Sequence, residues 1–185
     1  EVDNEQYVTT YREYGGIRLI RLSDGTGLTL LPVSDHSYRT RRGLISNEYQ
    51  DEIITIRGNK CIWNMAGKEK SGRFIKEFIQ QETTFQSDGI DLAGTIFKPN
   101  SEFHTPGIVI VHGSGPIYRT AFIERAYRFV KAGFSVLVYD KRGTGQSGGV
   151  YPRVKNYEQL AVDAASALDH IKSMEFIVKQ VRLFR

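Results

Sequence analysis

The sequence predicts an α/β fold, a mainly parallel sheet with flanking helices, preceded by a small antiparallel β-rich domain. Three observations predict it. Residues 1–80 read as short alternating strands with no sustained helical period. Two continuous apolar runs, "GIVIV" and "FSVLVY", have the length and composition of strands buried on both faces of a parallel sheet. Each of these runs ends in a glycine-bearing loop and is followed by an amphipathic helical pattern, which is the grammar of β-α units. The expected organisation is therefore 1–80 for the β-rich region and 81–185 for the α/β region.

In the first region the strands are "GIRLIRL", "GLTLLPV", "GLISNEY", "DEIITIRG" and "KCIWNM", separated by turns such as "SDGTG" at 23–27 and "RGN" at 57–59. The second region opens with "TTFQSDGIDLAGTIFKP", two strands around Asp88 and Gly89, a pair that tolerates positive φ in a tight hairpin. After "GIVIVHGSGP" a helix is expected over 121–132, with Phe122, Ala126, Phe129 and Val130 on one stripe and Gly133 as its stop. A second helix runs from an N-cap at Asn156 to about Ser173, carrying Leu160, Ala161, Ala164, Leu168 and Ile171 at helical spacing. "KQVRLFR" then begins a further strand.

Composition narrows the function classes. A chain of 185 residues with 40% hydrophobic and 25% charged residues is ordinary for a globular protein. No apolar run approaches the roughly 20 residues of a membrane-spanning helix, so no membrane role is expected. No leader-like sequence stands at the start, and the compartment is not legible. The net charge of +4 includes basic groups at Arg39, Arg41, Arg42 and at Lys68, Lys70, Arg73, Lys76. These interleave with Glu48, Asp51, Glu52, Glu69 and Glu77 and accompany no nucleic-acid motif, so a solvated face is expected rather than nucleic-acid binding. Cys61 is the single cysteine and reads as a buried structural thiol. His36, His104, His112 and His170 fall in no metal-ligand spacing, and no metal or cofactor is expected.

The loop "KRGTGQSGGV" at 141–150 spells two signatures. Gly143, Gly145 and Gly148 have the spacing of a dinucleotide loop, and Asp163 follows 20 residues after the first of them. The last glycines of such a loop should lead into a helix, and here "GGVYPRVKNYEQ" intervenes; Asp163 also falls inside the next helix instead of at a strand end. Gly145, Ser147 and Gly149 have the spacing of a nucleophile elbow. An elbow serine sits at a sharp strand-to-helix turn, whereas Ser147 precedes two glycines and Pro152. Only 35 residues separate His112 from Ser147, where the intervening elements need on the order of 50. The remaining reading is a structural turn, held by Asp140 or Ser147 bonding to local amides, at the strand ends where open α/β sheets bind ligands.

"PGIVIVHGSGP", "AGFSVLVYDKRGTGQSGG", "NYEQLAVDAASALDHIK" and the opening of "KQVRLF" together resemble the first half of an α/β-hydrolase of the bacterial esterase-like or acyl-peptidase-like group, over about residues 82–185. The β-rich residues before them resemble the extension that precedes the hydrolase domain in some of these proteins. The resemblance implies small acyl esters or peptide-like substrates. It assigns one oxyanion-hole donor to the backbone N–H of Ser114, with Gly113 and Gly115 opening the loop to substrate and His112 organising it. It also leads one to expect "G-L-x-G-H-S-x-G" after "KQV", where this sequence has Arg182 and Arg185. Nucleophile serine, acid and histidine are then missing from the 185 residues, which implies an inactive polypeptide with an exposed "QVRLF" edge open to self-association. Two other readings stand beside this one: a non-catalytic binding or interaction module, and a nucleotide-binding protein.

Overall fold

The structure is a computed structural model, and it describes residues 1–11, 17–24, 26–42, 49–73, 78–113, 115–151 and 156–178. The chain divides into two compact units, Glu1–Lys76 and Glu77–Arg185.

The first unit is an antiparallel meander of seven strands: β1 (Tyr7–Tyr11), β2 (Ile17–Arg21), β3 (Gly27–Ser34), β4 (Ser37–Arg42), β5 (Tyr49–Arg57), β6 (Lys60–Met65) and β7 (Lys68–Arg73). Each strand pairs with its sequence neighbour, as short turns require. Period-two alternation sends Leu28, Leu30, Ile54, Ile56, Cys61, Trp63 and Met65 to one face. There they pack with Val2 and Tyr7, whose ring meets the Trp63 ring edge-on at 5.6 Å. The chain's first residues rejoin β7: the Arg73 N–H donates to the Glu1 carbonyl at 2.9 Å and the Glu1 ammonium donates to the Arg73 carbonyl at 2.8 Å.

Four expected strands in this unit form, and three others were not expected. "GIRLIRL", "GLTLLPV", "DEIITIRG" and "KCIWNM" become β2, β3, β5 and β6. The expected strand "GLISNEY" falls mostly on 43–48, outside the described residues. Cys61 is half-buried, short of the full burial expected, and burial pushes its thiol pKa up. Of the basic residues, Lys70 pairs with Asp3 at 3.2 Å, both partners about half exposed, as a solvated face would have it.

The second unit holds β8 (Phe78–Ser87), β9 (Ile90–Pro99), β10 (Gly107–Ile110), α1 (Ile123–Lys131), β11 (Ser135–Tyr139) and α2 (Tyr157–Ser173). Asp88 and Gly89 take φ of 50° and 76°, the paired positive values that a two-residue hairpin turn requires. Its sheet runs β10-β11-β9-β8. β10 and β11 pair in parallel, joined by the crossover through α1, whereas β11–β9 and β9–β8 are antiparallel. The mainly parallel sheet expected from sequence is therefore not what the four described strands form. The tight hairpin makes β8 and β9 antiparallel, and β9 then pairs antiparallel with β11. One further parallel contact joins Thr105 to Ile177 just past α2, and the expected strand at 179–185 lies outside the described residues.

β11 is buried along its whole length because a helix covers each face. Val136 and Val138 pack with Phe97, Ile110, Ala126 and Val130 on the α1 side. Leu137 and Tyr139 pack with Phe85, Leu92, Ile96, Ala167 and Ile171 on the α2 side. α1 begins two residues later than expected, after a short 3-10 turn at Arg119–Phe122, and the chain leaves it through Gly133 at φ 93°. α2 is capped as expected: the Asn156 side chain accepts from the Gln159 N–H at 3.1 Å. No helix among the described residues is long and apolar enough to cross a membrane.

Candidate functional site

β10 and β11 run side by side in the same direction, so the loops leaving them, 111–118 and 140–151, both start at the carboxyl end of the parallel pair. Open α/β sheets bind ligands at the carboxyl ends of their strands.

The β11 loop is built by hydrogen bonds to its own backbone and to β9. Asp140 is 3% exposed and accepts from the Gln146 N–H at 3.0 Å, from the Arg119 N–H at 2.8 Å and from Arg119 Nη1 at 2.6 Å. Arg119 spreads the same guanidinium to Glu82 at 2.9 Å and Gln146 at 2.7 Å, tying the start of the 3-10 turn to the loop. The turn at 145 needs glycine for two reasons: φ is 55°, and a Cβ there would lie 2.2 Å from Asp140 Oδ2.

Ser147 is fully engaged in holding this turn. Its Oγ donates to the Asp140 carbonyl at 2.7 Å and accepts from the Ala93 N–H at 2.9 Å. It follows no helix-opening turn, since the chain runs on through Gly148 and Gly149 before α2 begins at Tyr157. Asp163 is equally committed. It is 1% exposed, accepts from Ser87 Oγ at 2.6 Å and receives two hydrogen bonds from Arg142, at 2.7 and 3.0 Å. That hydrogen bonding raises the Arg142 pKa further. A carboxylate buried and held in this way is not presented to a ribose hydroxyl, and the nucleotide-binding reading loses its acid.

His112 opens the β10 loop. Its Nε2 is bonded to the Tyr139 carbonyl, which can only accept, so Nε2 carries the hydrogen. Its ring meets Tyr139 edge-on at 4.5 Å and Phe122 at 5.5 Å. Burial depresses its pKa; the bond to Tyr139 works the other way, and the neighbouring Lys141 charge lowers it again. A neutral imidazole donating into β11 ties the two loops together. Gly113 is exposed in this loop, while Ser114, the expected oxyanion donor, lies outside the described residues.

Lys141 and Arg119 were not singled out from sequence. Lys141 is 1% exposed, and its Nζ donates to the carbonyls of Gly113 and of Gly115, the latter at 2.9 Å. Burial depresses its pKa. A lysine two positions past the end of a wholly buried strand is the signal that could have marked it, because a charge there must find partners.

Of the remaining histidines, His170 is bonded to Thr83 Oγ1 at 2.7 Å and stacks on Phe85 at 5.2 Å. Among the described residues no histidine ring is hydrogen-bonded to a serine hydroxyl, and no group of three metal-ligating side chains occurs.

The order β10-β11-β9-β8, two loops at the end of the parallel pair and a helix on each face are features of one fold family. A family model described as serine aminopeptidase, S33, matches residues 104–183. The second unit belongs to the α/β-hydrolase superfamily. A quorum-quenching protein, AidA, of Acinetobacter baumannii is 29% identical over 96 residues, covering 52% of this chain and 32% of its own. A hypothetical protein of Pseudomonas aeruginosa is 25% identical with a TM-score of 0.50, over 55% of this chain and 32% of its own. An α/β hydrolase of Penicillium sp. sh18 is 25% identical with a TM-score of 0.46, over 51% and 32%. The chain spans about a third of the length of each of these relatives.

Proposed function

We propose that residues 81–185 supply the oxyanion side of a serine-hydrolase site acting on small carboxylic esters, with residues 1–80 as a β-rich extension. The observation that carries this reading is the pair of loops leaving β10 and β11, fastened to each other through His112 and Lys141. Attack on an ester carbonyl builds negative charge on its oxygen, and one preplaced amide donor there contributes about 3–4 kcal/mol. The Gly113–Ser114 peptide is the donor proposed. The relatives' descriptions, a serine aminopeptidase and a quorum-quenching protein, favour a hydrolase and leave a peptide-like acyl group as the other substrate class.

Catalysis also needs an activated serine. No described serine is hydrogen-bonded to an imidazole, and Ser147 is occupied by backbone groups. The 185 residues on their own are therefore proposed to be inactive. Two samples test the two halves of this reading. The gene product expressed from its own locus should cleave p-nitrophenyl acetate and take up one fluorophosphonate per chain; absence of both overturns the esterase reading. The 185-residue chain should do neither, and turnover with stoichiometric serine labelling overturns its inactivity.

A further inference from the structure

Lys141 is buried without a counter-charge. Among the described residues it forms no ion pair: the neighbouring Asp140 is taken by Arg119, and Asp163 by Arg142. A buried ammonium is costly unless each of its hydrogens has an acceptor. Two acceptors are the Gly113 and Gly115 carbonyls, and the Tyr151 ring centroid lies 5.6 Å away. These carbonyls stand 28 and 26 residues earlier in the chain, on either side of position 114. Both are therefore turned onto one cation.

Lys141 thereby fixes the β10 loop at Gly113 and at Gly115. A cation on the carbonyl oxygen also draws electron density through the amide and strengthens its N–H as a donor. We propose that Lys141 is a positioning residue for the oxyanion side of the site: it grips the β10 loop through the Gly113 and Gly115 carbonyls, holds that loop in one conformation and polarises its amides. This rests on the esterase-type reading above. Lys141 touches neither substrate nor nucleophile and acts through the loop.

Two measurements test it. The first uses the 185-residue chain labelled with [1-13C]glycine and needs no activity. The Gly113 and Gly115 carbonyl signals should move together with one midpoint as Lys141 loses its proton, below the ordinary lysine range. His112, Asp140 and Tyr151 are the other titratable groups about the ammonium. Burial holds the His112 pKa below the ordinary imidazole range, away from that of a lysine. Tyr151→Phe separates the last of them and should leave the midpoint in place. Carbonyls that do not titrate in the wild type, or that titrate unchanged in Lys141→Met, overturn the contact.

The second uses the gene product expressed from its own locus. Lys141→Met should lower kcat for p-nitrophenyl acetate ~100-fold with KM little changed, the scale expected when a transition-state contact is misplaced. Lys141→Arg, which keeps the charge and the donors, should recover most of the loss. Equal kcat in wild type and Lys141→Met, with both folded by circular dichroism, overturns the role. Titrating carbonyls in a wild-type product that cleaves no ester uphold the contact and overturn the esterase reading alone.

Discussion

Ser147 and Asp140 are joined by a 2.7 Å hydrogen bond from the serine Oγ to the aspartate carbonyl, while the same Oγ accepts from Ala93. The serine that sits in a hydrolase-like G-x-S-x-G is thus a staple between the end of β11 and the middle of β9. Ser147→Ala removes the only hydroxyl serving both groups. It should cost about 1–2 kcal/mol in urea unfolding, the price of a half-buried amide without its partner. Fluorophosphonate uptake by the gene product expressed from its own locus should be unchanged, and a loss of labelling would make Ser147 the nucleophile.

The positive-φ glycines of the second unit differ in what they permit. At Gly145 a methyl group would lie 2.2 Å from Asp140 Oδ2, and φ is 55°. At Gly89 φ is 76°, but nothing stands within 4 Å of an added Cβ. Gly89→Ala should therefore cost about 1 kcal/mol, the backbone strain alone. Gly145→Ala should cost clearly more, on the order of 3 kcal/mol or above, since it also pushes on the carboxylate that holds Arg119. Equal losses in paired denaturation curves would show that the loop yields freely.

Local features of this fold were legible in the sequence because their physics is local. The Asn156 cap, the Asp88–Gly89 turn and the apolar alternation of β3 and β6 each depend on residues within a few positions. β4 and β7, "SYRTRR" and "KEKSGR", were missed because neither carries the apolar alternation of a half-buried strand; their pairing comes from neighbours in the meander. The site was half legible. Glycine spacing marked the β11 loop, and its reading as a structural turn agrees with the bonds of Asp140 and Ser147. The roles of Lys141 and Arg119 were not legible, because their partners lie 21 to 37 residues away along the chain.

Stability should fall as the solution turns mildly acidic. Burial lowers the pKa of both His112 and His170 in the folded state. The unfolded chain then takes up protons first, as pH drops through about 6.5. Their contribution is fully present above that value and is lost progressively down to the folded-state values. Urea midpoints should decline between pH 7.5 and 5.5, and His170→Gln should flatten the decline. An unchanged slope in that variant would assign the effect elsewhere.

The first unit can be followed by its own probe, because Trp63 is the chain's one tryptophan and is buried in that unit's core. Leu30 and Ile54 are each 1% exposed in the same cluster. Leu30→Ala deletes buried methyl groups and leaves a cavity, so it should lower the transition seen by Trp63 fluorescence by about 2–4 kcal/mol. A loss below about 1 kcal/mol would mean that the meander collapses around the gap.

Arg142 and Asp163 offer the sharpest contrast between breaking and removing an interaction. The carboxylate is 1% exposed and the arginine side chain 11%, with two hydrogen bonds between them. Asp163→Ala strands a largely buried guanidinium and leaves Ser87 Oγ without its acceptor, so it should cost about 3–5 kcal/mol. Asp163→Asn keeps the shape and one acceptor oxygen and should cost less. The double variant Arg142→Met with Asp163→Leu removes both charges and should recover most of the loss, since buried ion pairs exchange for apolar groups of similar volume at little net cost. If the double variant is no more stable than Asp163→Ala alone, the pair holds the 140–149 loop in place by its geometry and not merely by cancelling charge.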